Sequence, residues 1–221
     1  MRTEELIGAL ARDAQPVRRL ASPWVRLATW LAASLLFAGA NVFALGPRGD
    51  IADKLIEPRF AIELAAAVAT AILAAMAAFS YGVPGRPTWE RAIPLFPLAI
   101  WVGSLGNGCW QSLMQIGPEG IGFAPDLVCF PYIALGASMP GLLIFWMIRR
   151  SAPLAPVRTA MLAALASAAL AAATLRLYHT QDASLMVLVW QFGSVAVLSL
   201  FGAMIGRGLL RWPRSALKMG G

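Results

Sequence analysis

Six apolar runs, near residues 24–45, 60–83, 92–113, 127–148, 157–178 and 185–210, alternate with short segments dense in glycine, proline and charge. Gly46-Pro47-Arg48-Gly49-Asp50 and Pro84-Gly85-Arg86-Pro87 are two of these breaks. Each run matches the roughly 20-residue helix that crosses a hydrocarbon core about 30 Å thick, and each is too long for a barrel strand. The pattern therefore predicts an all-α polytopic membrane protein, a bundle of six transmembrane helices over residues 23–212. Residues 1–22 form an N-terminal tail with a short amphipathic helix, and 213–221 a C-terminal tail. Two runs are less regular than the others. Pro94, Pro97 and a glycine-rich stretch interrupt the third, and the fifth is so rich in alanine that its insertion depends on its neighbours. Glu4 and Glu5 precede the first run and no small-residue cleavage pattern closes it, so a cleaved signal peptide is not expected.

Charge orients this bundle. With the N-terminus inside, fourteen of the eighteen Lys and Arg residues fall on inner segments, leaving Arg48, Lys54, Arg59 and Arg176 outside with Asp50, Asp53, Glu57, Glu119, Asp126 and Asp182. Such asymmetry follows the positive-inside rule and predicts an inner-membrane protein with both termini cytoplasmic. The net charge of +7 is then accounted for by topology and by anionic lipid at the cytoplasmic face, so no direct nucleic-acid binding is expected. Composition agrees: 59% apolar and 13% charged residues lie far from the usual soluble balance. The longest polar segment is the N-terminal tail, too short for a separate soluble domain. Function must reside in the bundle, its loops and its tails.

Several residues then matter for packing. Gly202 and Gly206, four apart in the last run, and the alanines of the fifth allow helices to approach closely. Trp24, Trp89, Trp110 and Trp212 fall near span ends, where interfacial anchors sit. The amides Asn41, Asn107, Gln111 and Gln191 punctuate the spans as candidate bonds between helices.

Catalytic chemistry finds little support, because the chain has one histidine, two cysteines, no glycine-rich phosphate loop after a strand and no paired acids within the spans. The chain is not expected to be an enzyme. Cys109 and Cys129 lie toward the same, outer side, with nineteen residues between them in a helical hairpin. A disulfide there requires Cα atoms within about 7 Å, and two small thiols that merely pack are the alternative. His179 and Asp182 occupy the last outer turn, near Glu119 and Asp126 of the preceding outer loop. Thiolates with an imidazole suit a thiophilic metal ion, so a transiently bound heavy-metal ion is the candidate cofactor and none is required; an ordinary polar surface is the alternative. Glu63, about one turn into the second run, is an ionisable group within a span. It suggests a proton relay or a carboxylate that reaches the interface.

The N-terminal tail carries the clearest binding feature. Thr3 can cap a helix whose first turn holds Glu4 and Glu5, and Leu6, Ile7 and Leu10 then form one apolar stripe. Anionic lipid would repel the acids, so the stripe is better suited to a groove on a protein partner. Arg18 and Arg19 follow where they would hold the linker at the membrane.

Thr3-Glu4-Glu5-Leu6-Ile7, Pro16-Val17-Arg18-Arg19, Gly108-Cys109-Trp110, Cys129-Phe130-Pro131 and the run Asp182–Trp190 stand in an order, and on six spans, that resembles the NrsF family of negative regulators of extracytoplasmic-function sigma factors. The resemblance covers nearly the whole chain. It departs at Gln191, where a histidine is expected after the tryptophan. It implies an anti-sigma factor that holds an extracytoplasmic-function sigma factor at the inner face through the stripe Leu6, Ile7 and Leu10. It also implies release of that partner on a periplasmic stress signal, heavy metal or oxidant, sensed by Cys109 and Cys129. Two other functions compete: a small polytopic transporter or channel, suggested by Glu63 and the broken third run, and a structural assembly subunit, suggested by the small-residue faces.

Overall fold

Proline opens three of the long helices, at a position where its missing N–H would have no intrahelical partner in any case. In the computed structural model, which describes residues 3–13, 20–116, 129–151, 154–179 and 192–209, these are α2 (Pro23–Leu45), α4 (Pro58–Tyr81) and α8 (Pro156–Leu175). Ser22 caps α2 by accepting a bond from the Val25 N–H, and Gly46, with φ of 80°, turns the chain out of its far end. The other elements are α1 (Thr3–Asp13), α3 (Ile51–Ile56), α5 (Trp89–Ala92), α6 (Leu95–Ile116), α7 (Cys129–Ile148) and α9 (Gly193–Leu209). The described residues are all-helical, without strands.

Four of these helices are long and apolar enough to cross a membrane: α2, α4, residues Phe130–Ile148 of α7, and α8. Gly193–Gly206 is a shorter apolar helix. These features mark a membrane protein. The third run, expected to be broken, is one continuous helix of 22 residues in α6. Pro94 precedes it and Pro97 falls in its first turn, where proline costs no hydrogen bond.

The alanine-rich α8 is the hub of the bundle. It packs against α9, α4 and α7, while α6 and α2 lie on α4 and α2 also touches α7. Ala160, Ala163, Ala166, Ala168, Ala169 and Ala172 are fully buried. Apolar bulk drives little association where the lipid is equally apolar, so close backbone approach and polar contacts must hold helices together. Glycine opposes alanine where α9 crosses α8. A Cβ on Gly202 would lie 2.5 Å from the Ala164 Cβ and 3.0 Å from the Ala160 carbonyl oxygen. One on Gly206 would lie 2.5 Å from the Ala160 Cβ and 2.9 Å from the Pro156 oxygen.

Pro140 sits inside α7, and membrane helices tolerate such a proline when neighbours supply polar contacts. Its carbonyl accepts a bond of 2.9 Å from Nε1 of Trp30 in α2, and both residues are fully buried. Trp30→Phe removes this bond, worth about 0.6 kcal/mol in a bilayer, and leaves a void in a close-packed site. The expected loss is about 1–3 kcal/mol, read as a lower unfolding midpoint in detergent. An unchanged midpoint would mean that α2 is not fastened to α7 here.

Candidate functional site

Two ends of the bundle carry polar chemistry. At the first, Arg59 and Glu63 are four residues apart in α4 and so share a face. Nε of Arg59 lies 3.0 Å from Oε1 of Glu63, and Nη2 of Arg176, just beyond α8, lies 3.0 Å from Oε2. The Ser104 hydroxyl of α6 reaches the same carboxylate at 3.5 Å. Glu63 is only 4% exposed, so it neither extends to the surface nor stands alone within the bundle. A carboxylate at this depth is costly unless paired, and two guanidinium groups pair it.

The network extends through Phe60, a buried ring with the guanidinium of Arg176 at 4.8 Å and that of Arg48 at 5.7 Å from its centroid. The Arg48 side chain, 1% exposed, grips Asp50 with two bonds of 2.6 and 2.9 Å, the fork geometry that suits arginine and carboxylate. Its Nη1 donates to the His179 carbonyl at 3.3 Å, and its backbone N–H donates to the Leu177 carbonyl at 3.0 Å. The segment after α2 is thus stitched to the segment after α8, beside the Glu63 cluster.

His179 enters this end through its backbone carbonyl, and Asp182, Glu119 and Asp126 lie outside the described residues. Among the described residues no three His, Cys, Asp or Glu side chains come together as a metal site. Cys109 stands in α6, five residues beyond Ser104, and Cys129 is the first residue of α7; the side chains of both lie outside the described part of the structure. Of the amides, Asn41 bonds the Phe37 carbonyl of its own helix, while Asn107 and Gln111 are exposed. Bonds between helices come instead from Arg26, Trp30, Ser104 and Arg176.

At the opposite end, Arg26 of α2 is buried, donates from Nη2 to the Met147 carbonyl at 2.9 Å and stacks 4.5 Å over Phe79. Arg91 lies 4.7 Å over Tyr81 and Arg150 3.9 Å over Trp146. In sequence, Arg26 reads only as one more inner charge. Its place inside an apolar run, two residues past Trp24, was the available signal that it is buried.

α1 has Glu4 and Glu5 in its first turn and Arg12 in its last, each favourable to the helix dipole. Thr3 is helical, and the residues before it lie outside the described part of the structure. Leu6 and Ile7 are 43% and 60% exposed, so the apolar stripe is not buried against the bundle there; the Leu10 side chain lies outside the described part of the structure.

No curated protein and no solved structure matches the chain. The family described as negative regulator of sigma F matches residues 10–212, from the second half of α1 past the end of α9. With most of its length so covered, the chain belongs to the NrsF family, negative regulators of a sigma factor.

Proposed function

We propose that this protein is a membrane-embedded anti-sigma factor that captures an extracytoplasmic-function sigma factor through α1 and releases it on a periplasmic stress signal. The observation that carries the reading is the exposed stripe of Leu6 and Ile7, on a helix joined to a bundle of the NrsF family. Leu10 would complete the stripe. A second feature supports the orientation: six apolar runs with fourteen of eighteen basic residues on one side suit six spans of the bacterial inner membrane with both termini in the cytoplasm. The Glu63 cluster would then lie toward the periplasm.

In this reading Cys109 and Cys129 sense the signal, either by forming a disulfide or by taking a heavy-metal ion transiently, with His179 and Asp182 as further candidate ligands. The event reaches α1 only if it favours one arrangement of the bundle over another, since a ligand shifts an equilibrium by its differential affinity alone. A route is available, because Cys109 shares α6 with Ser104, whose hydroxyl meets Glu63 between α4 and the end of α8. The transporter reading has less to recommend it. Its candidate proton carrier, Glu63, is held by two arginines, and α6 is unbroken.

Leu6→Asp with Ile7→Asp is expected to weaken sigma-factor capture about 100-fold, the scale of losing a pair of apolar anchors at an interface, while membrane insertion is unchanged. Pull-down of the full chain from its own cells tests this. Undiminished capture by that variant, or by a chain lacking residues 1–15, would remove α1 from the interface. The same pull-down before and after cadmium or oxidant, with wild type and with Cys109→Ser plus Cys129→Ser, tests the sensing step. Release in both proteins would move the sensor elsewhere.

A further inference from the structure

We propose that the groove between α7, α8 and α9 holds an acyl chain of an anionic phospholipid, with its phosphate bound between Arg149 and Arg150. The groove has a volume of about 720 Å³, and Arg149, at one extremity, is the charged residue of its wall. Ala134, Ala137 and Gly141 leave its α7 side open, and Phe201 rises on the α9 side. From Ala134 to Arg149 it follows α7 for about 22 Å, longer than the roughly 15 Å of hydrocarbon in one leaflet. A chain laid along it from the α7 terminus therefore remains in the groove to its end.

Charge selects the headgroup. A second cavity of about 440 Å³ adjoins the groove across Trp146, which lines both, and its wall includes Arg26 and Arg150. The Arg150 guanidinium is stacked on Trp146 at 3.9 Å, so it is held at the junction. Arg26 is 3% exposed and its Nη1 has no hydrogen-bond partner among the described residues. Neither Arg149 nor Arg150 forms an ion pair among the described residues. Arg150 lies on Trp146, Arg149 shares the first cavity with it and Arg26 the second; with no carboxylate paired to any of the three among the described residues, they call for an anionic group from outside the chain, and the apolar groove beside them calls for a hydrocarbon tail. A phospholipid offers both. Leu20 and Ala21, in the linker between α1 and α2, also wall the second cavity, so the headgroup would sit where the tail meets the bundle.

Native mass spectrometry of the full chain in detergent, titrated with phosphatidylglycerol or phosphatidylethanolamine of equal chain length, tests the proposal without any sigma factor. Phosphatidylglycerol is expected to stay bound at concentrations where phosphatidylethanolamine is stripped. Arg149→Gln with Arg150→Gln, both at exposed positions, is expected to lower its occupancy about ten-fold, and Arg149→Lys with Arg150→Lys to restore most of it. Ser138→Phe, at an exposed position on the groove wall, is expected to weaken both lipids. Equal retention of the two lipids, indifferent to these variants, would overturn the proposal in favour of unspecific solvation. Binding of glycerol phosphate as tight as that of the whole lipid would reduce the site to one for free phosphate. A dimer dissociated by Ser138→Phe would give the groove to a second copy of the chain.

Discussion

Gly202→Leu and Gly206→Leu are each expected to abolish the compact fold in detergent. At both positions the first added carbon would already meet the Cβ of an α8 alanine at 2.5 Å, and backbone oxygen at 3.0 or 2.9 Å. Backbone cannot rotate away as a long side chain can, so α9 must move off α8 as a whole. Overpacking usually costs about 1–3 kcal/mol where neighbours can adjust. Here the neighbours are the central helix of the bundle, and a leucine adds three carbons beyond the clashing one. Gly39→Leu and Gly103→Leu make the comparison fair, since a Cβ at either meets nothing within 4 Å. Thermal challenge followed by size-exclusion chromatography should find the two α9 variants aggregated and the two controls near wild type. Equal behaviour of all four would mean that α8 and α9 do not cross at these glycines.

The second large effect is expected at Glu63. Its replacement by alanine leaves Arg176, 11% exposed, without its carboxylate, and removes the acceptor of Arg59 and Ser104. Removing one partner of a buried pair costs about 3–5 kcal/mol, because the remaining charge stays desolvated. Glu63→Gln should cost less, since an amide oxygen still accepts a bond. Arg59→Ala should cost less again, within about 1 kcal/mol, because the Arg59 side chain is one-third exposed and water screens the charge. Falling severity from Glu63→Ala through Glu63→Gln to Arg59→Ala, measured as unfolding midpoints, distinguishes a buried ion cluster from a surface one. Equal and small shifts would show that the carboxylate is hydrated.

Helix positions were legible because apolar runs and proline breaks are local. The run at 24–45 became Pro23–Leu45, and that at 60–83 became Pro58–Tyr81. The small-residue crossing of α8 and α9 was legible for the same reason: Gly202 and Gly206 lie four apart on one face. The short helices α3 and α5 were missed, as six- and four-residue segments carry too little periodicity to stand out from a loop. At the candidate site, Arg59 and Glu63 could be paired from their spacing alone, but Arg176 is 113 residues from Glu63 and nothing local announces the contact. Trp30 likewise reads as one more apolar residue until Pro140, 110 residues later, supplies its acceptor. Cys109, Cys129 and Asp182 were singled out for chemical type, and their side chains lie outside the described part of the structure.

The bonds from Arg48 to Leu177 and His179 also bear on the order in which the protein is made. α2 and α4 emerge from the ribosome early, yet the carbonyls that fix the segment between them belong to residues synthesised about 130 positions later. α8, the helix on which α4, α7 and α9 all rest, is likewise a late product. Non-local contacts of this kind delay folding until the chain that supplies them exists. The early helices must therefore wait in the bilayer with the Arg48 backbone N–H and Glu63 short of their final partners. What α8 holds together is completed last, although α2 and α6 can already pack on α4 before it is made.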